Sequence, residues 1–100
     1  MRVEFTFDKN LAELGGYTMG DIYHTIKKHF AERNIPCVSD GDTLAFEDTG
    51  GKNDFSHMWT VIMGLTRADW FMEFATSCIW YEGKNNREDV LRQAKERRKV

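Results

Sequence analysis

Three histidines, two cysteines and a run of acids between positions 40 and 54 are the side chains of this 100-residue chain that could carry acid–base, nucleophilic or metal chemistry. Their spacing decides what each can do. His24 and His29 lie five apart, so on a helix they point in different directions. His57 stands alone near the start of a second apolar-periodic segment. No HxH, HxxxH or Cys–His spacing of a zinc site occurs. Cys37 and Cys78 form no CxxC pair, and nothing local favours a nucleophilic Cys–His arrangement. Asp40, Asp42, Glu47, Asp48 and Asp54 crowd together, but they lack the Asp/Asn alternation and closing Glu of an EF-hand loop. Asp40-Gly41-Asp42 is also what a hairpin turn prefers by itself. Gly15-Gly16 and Gly50-Gly51 belong to neither GxGxxG nor GxxxxGK[ST], which argues against a phosphate cradle. The sequence therefore predicts no catalytic residue, no metal site and no cofactor.

The aromatic residues are more suggestive. Trp59, Trp70, Phe71, Phe74, Trp80 and Tyr81 fall within 23 residues. Trp and Tyr serve as stacking platforms for flat ligands and as anchors of protein interfaces. In a strand over 76–81, either Cys78 and Trp80 or Ile79 and Tyr81 face a core, and the other pair faces away. Trp70, Trp80 and Tyr81, with His57, are the residues expected to bind a ligand or partner.

These residues need elements to position them. Val3, Phe5 and Phe7 alternate with Arg2, Glu4 and Thr6, a period-two strand. Residues 8–16 read as a loop. Thr18 followed by Asp21 resembles a capping box. Met19, Ile22, Tyr23, Ile26 and Phe30 then recur at helical spacing, until Asn34 and Pro36 stop the helix. Asp40-Gly41-Asp42 joins two extended runs as a hairpin. After a loop at 48–53, Asp54 is placed to cap a second helix with Phe55, Met58, Trp59, Ile62 and Leu65 on its stripe. Gly64 costs that helix roughly 1 kcal/mol relative to Ala. Residues 67–74 read as a helix end or a short helical turn. Residues 76–81 are β-branched and aromatic, hence a strand, and Asn86 is expected to cap a final helix over 87–98.

The predicted fold class is α+β: a two-layer antiparallel sheet with helices on one face and element order β-α-β-β-α-β-α. That order is shared with the ferredoxin-like split-βαβ arrangement, and it implies strand order 4-1-3-2. The final helix is expected at the sheet edge or as a partial lid on the other face. The organisation reads as an α/β core over 1–83 with a basic helix over 84–100 appended. Residues 1–83 carry a net charge of −6 and residues 84–100 a net charge of +4, which suits a basic last turn against a helix dipole.

No apolar run approaches the roughly 20 residues that span a bilayer, so no membrane association is expected. The N-terminus lacks a signal-peptide pattern, which with the two cysteines implies thiols in the cytoplasm. The polar faces of the first and third strands carry Glu4 and Glu47 and no stacking ring, which argues against nucleic acid. The function expected is that of a small non-enzymatic binding or protein-interaction domain, a monomer or a homodimer built on the open sheet face. The alternative is a small-molecule binder, for example of a sugar or metabolite, or an enzyme, using the aromatic-rich C-terminal half.

Overall fold

The computed structural model describes residues 1–83 and 85–98; Lys84, Lys99 and Val100 of the expected basic tail lie outside them. Alternation along Arg2–Phe7 makes β1, whose Val3 and Phe5 are fully buried. Two helices follow, α1 (Lys9–Leu14) and α2 (Met19–Ala31), then the hairpin β2 (Cys37–Asp40) and β3 (Leu44–Glu47). Next come α3 (Asp54–Thr66), α4 (Asp69–Phe74), β4 (Ala75–Tyr81), β5 (Arg87–Asp89) and α5 (Val90–Arg98).

The fold is α+β, with a five-stranded open antiparallel sheet ordered β2-β3-β1-β4-β5. The first four strands take the expected order. Register separates the two faces. Val3 pairs with Phe46 and Trp80, and Phe5 with Leu44 and Cys78, so these side chains share the helix-covered face. Arg2 pairs with Glu47 and Tyr81, and Glu4 with Ala45 and Ile79, on the open face. All five helices contribute to one buried cluster with the inward strand residues. Phe30 stacks on Phe46 at 4.0 Å, and the Phe71 ring meets Phe5 edge-on at 5.8 Å. Each such pair adds about 0.5–1.5 kcal/mol to the area it buries.

Thr18 caps α2 as expected, accepting the Asp21 amide at 3.0 Å. Asn34 takes φ 60° just past the helix, and Ile35 N donates back to Phe30 O at 3.0 Å. A left-handed residue closes the helix C-terminus in this way.

Three expectations need correction. Residues 8–16 hold α1, capped by Asp8, whose carboxylate accepts the Leu11 amide at 3.0 Å. Only Ala12 of that helix is buried, so no apolar stripe announced it. The final helix starts at Val90, not 87. Arg87–Asp89 instead pair with β4 as β5, and Asp89, not Asn86, caps the helix by accepting the Arg92 amide. Backbone pairing made that strand; its side chains are all exposed. Asp54 does not cap α3 from outside but is its first residue, after an Asn53 N-cap that makes no side-chain bond. The full order is thus β-α-α-β-β-α-α-β-β-α. α5 lies on the helix side of the sheet: Val90, Leu91 and Ala94 join the main core, and Arg98 reaches Asp69 at 3.3 Å and the Thr66 carbonyl at 3.4 Å.

Candidate functional site

The four residues singled out from the sequence lie in four different places. Trp80 is 2% exposed on the helix-covered face, 5.0 Å from Trp59 and 5.9 Å from Phe55 between ring centroids. It is the inward member of its strand's alternation. Tyr81 is the outward one. Burial raises its phenol pKa first, and the neighbouring Glu4 carboxylate raises it further. His57 sits in the first turns of α3, where its Nδ1 lies 3.2 Å from Arg33 Nη1. A guanidinium only donates, so Nδ1 accepts and the ring proton belongs on Nε2. Trp70, half-buried at the start of α4, lines two adjoining clefts.

Those clefts form the concave site of interest. The first, about 290 Å³, runs between Thr25, His29 and Arg33 on the α2 side and Val61, Gly64 and Leu65 on α3. The second, about 520 Å³, opens between Tyr17 and the start of α2, where Asp21 and His24 face it. Thr25 and Trp70 belong to both, so the indole stands where one cleft meets the next. Sites of roughly 300–1,000 Å³ with an aromatic wall and a few polar groups are the usual size for small ligands.

Local sequence accounts for the groove. Ile22, Ile26 and Phe30 carry α2 onto the core. Asp21, Thr25 and His29 each sit one position earlier, so they form a second stripe along the flank. On α3, Gly64 has no side chain, and a Cβ built there meets nothing within 4 Å. The glycine is not required by packing; it leaves the wall open.

The polar groups of the groove are mostly uncommitted. Among the described residues the side chains of Asp21, His24, His29 and Glu32 make no hydrogen bond or ion pair. The hydroxyls of Thr25 and Thr60 donate to carbonyls of their own helices, at 3.0 and 2.7 Å, and keep lone pairs free.

The loop before α3, next to His57 in the chain, is tightly bonded. Asp54, 7% exposed, accepts from the Thr49 amide at 2.7 Å, the Thr49 hydroxyl at 2.8 Å and the Gly51 amide at 3.2 Å. These bonds, the Thr49 amide first, hold its carboxyl pKa below the ordinary value, against the opposing effect of burial. Gly50 takes φ +82°, and a Cβ on Gly51 would come within 2.7 Å of Asp54 Oδ1. That glycine pair therefore serves the turn.

The open face differs. Arg2 bridges Glu4 and Glu47, each at 2.8 Å, and Thr6 bonds Thr76 and Ser77 at 2.7 and 2.6 Å. Ala45 and Ile79 of that face are buried. The acidic hairpin is likewise satisfied, with Asp40 paired to Lys27 at 2.8 Å and Tyr23 Oη donating to Gly41 O at 2.8 Å. Among the described residues no group of three or more His, Cys, Asp or Glu is placed to hold a metal ion. Both cysteines are thiols, Cys37 exposed and Cys78 buried, and burial pushes the Cys78 pKa up. No helix among the described residues is long and apolar enough to cross a membrane.

Of the four residues singled out from the sequence, Trp70 alone lines this groove, and the sequence did not point to Thr25, His29, Arg33 or Gly64. The polar stripe beside the buried one, and a helical glycine without a packing reason, were the signals. Comparison of the chain with family models, with curated proteins and with solved structures finds no match to any of them.

Proposed function

We propose that this chain is a small non-enzymatic binding domain whose recognition site is the groove between α2, α3 and α4. The observation that carries the reading is Trp70, half-buried between two adjoining clefts, where the side chains of Asp21, His24, His29 and Glu32 have no partner among the described residues. Trp70, with His57 acting through Arg33, is the part of the expected binding set that belongs here. The occupant is a small molecule or a protein element. An enzyme is supported less well, because His24 and His29 face different clefts and among the described residues neither imidazole hydrogen-bonds a carboxylate.

A homodimer through the open sheet face has less support than the groove. No large apolar side chain of β1, β3, β4 or β5 is exposed among the described residues, and Arg2 already pairs there with Glu4 and Glu47. The same acids disfavour nucleic acid on that face. Two thiols support a reducing, cytoplasmic setting. We also read the elements β1-α2-β2-β3-α3-β4 as a ferredoxin-like split βαβ with α1, α4, β5 and α5 added. The strand order supports this, and it carries no function by itself.

Amide-resolved NMR with a library of small fragments tests the site. Shifts gathered at Thr25, His29, Gly64 and the Trp70 indole N–H are expected. Shifts gathered at Arg2, Thr6 and Tyr81, or a mass that doubles with concentration in sedimentation, would overturn it.

A further inference from the structure

On the proposed reading that the groove is the binding site, the chemistry of its walls narrows its occupant. Charge comes first. Carboxylates of Asp21 and Glu32 alternate along the walls with the Arg33 guanidinium and with the imidazoles of His24 and His29. No single sign dominates, so no field selects a phosphate, a carboxylate or an ammonium ion. Hydrogen-bonding capacity comes second. Carboxylates only accept, Arg33 only donates, and imidazoles and hydroxyls can do either. An occupant that satisfies them must both donate and accept at many points over a short span. Shape comes third. The half-buried Trp70 side chain stands at the junction of the clefts, and Tyr17 is 42% exposed in the second.

We infer that the groove binds carbohydrate: an uncharged sugar ring lies against Trp70, and its hydroxyls bond to the Asp21–His24 side and the His29–Glu32 side. A pyranose has an apolar C–H face to lay on an aromatic ring and an edge of hydroxyls that donate and accept. The two clefts adjoin at Trp70, so a disaccharide fits the length of the site better than one ring. Gly64 lets the second ring approach the α3 backbone.

The test is an NMR titration of the full chain with methyl glycosides of glucose, galactose, mannose and N-acetylglucosamine and with their β- and α-linked disaccharides. Inorganic phosphate, tetramethylammonium and nicotinamide are titrated in parallel. Saturable shifts at Thr25, His29, Gly64 and the Trp70 indole N–H with a glycoside are expected, with a disaccharide binding about tenfold more tightly than its monosaccharide (a difference of about 1.4 kcal/mol). Trp70→Ala should abolish binding and Trp70→Phe retain part of it. Because Trp70 also packs on the core, Gly64→Leu is the second variant; it fills the first cleft from an open position and should weaken binding at least about tenfold while the chain stays folded. Groove shifts with phosphate, tetramethylammonium or nicotinamide but with no glycoside would overturn the carbohydrate inference and leave the groove standing as a site. Silence from every probe would overturn the carbohydrate inference and, with it, the small-molecule form of the groove reading. Glycoside binding unchanged in Gly64→Leu and Trp70→Ala would place the sugar elsewhere and overturn the inference as well.

Discussion

The open face of the sheet and the groove between α2 and α3 are both polar and both meet solvent, yet their polar groups are arranged in opposite ways. On the sheet, Arg2 is held between Glu4 and Glu47, and the Thr6 hydroxyl sits within hydrogen-bond distance of Thr76 and Ser77. In the groove, Asp21, His24, His29 and Glu32 make no such bonds to described residues, and Gly64 keeps the wall clear. A partner docking on the sheet would have to replace interactions already made. A partner entering the groove would add interactions that are missing. Polarity alone does not mark a binding surface; unpaired polarity next to an aromatic wall is the more telling sign.

The two faces of β1 differ most. Phe5→Ala removes a fully buried ring that meets Phe30, Phe46 and Phe71 and should cost about 3–5 kcal/mol in urea unfolding. Thr6→Ala, the next residue, should cost no more than about 1.5 kcal/mol. Equal costs would mean that the open face is as much a core as the covered one.

Acid should act next, at the start of α3. The Asp54 carboxyl has a pKa lowered in the folded chain, so its contribution is present above the unfolded-state value. It is lost as pH falls through the lowered folded value. Thermal unfolding followed from neutral to strongly acid pH should show stability falling in that window. Asp54→Asn should lower the melting temperature at neutral pH and flatten part of the acid slope; an unchanged slope would remove Asp54 from the account.

Gly64→Ala sharpens the comparison from the groove side. Nothing stands within 4 Å of the new Cβ, so the helix should gain up to about 1 kcal/mol. A loss instead, by denaturant unfolding, would show that the wall is not open. The smallest effect expected is at Arg2. Replacing it with Met removes two part-exposed ion pairs, and the cost should stay below about 1 kcal/mol and shrink with added salt. A cost of several kcal/mol would make the open face a structural network.

Legibility in the sequence followed the size of the apolar signal. β1, α2 and the hairpin were readable because Val3, Phe5, Ile22, Ile26 and Phe30 keep strict periods and Thr18 and Asn34 mark the ends of α2. α1 was hidden because Ala12 alone is buried in it, and β5 because its three residues are charged and owe their conformation to backbone pairing with β4. The orientation of Trp80 could not be read from β4, since Cys78 and Trp80 match Ile79 and Tyr81 in apolar character; pairing with Val3 and Phe5 decides it. The groove was partly visible in Trp70, but its walls come from α2 and α3, and no local pattern says which polar flank of one helix will face the other.

The two outer strands have a consequence for how copies of this domain behave when concentrated. A bare sheet edge is a template on which further chains can add, one behind another. Here β5 offers three residues, Arg87, Glu88 and Asp89, all exposed and all charged, so an arriving strand would have to strip water from each. At the other end β2 follows Pro36, and its pairing with β3 slips between Cys37 and Ser39, which spoils the straight ladder an incoming chain needs. Growth by strand addition is thus resisted from both ends, and the weakest point of that defence is Val38, 46% exposed on β2.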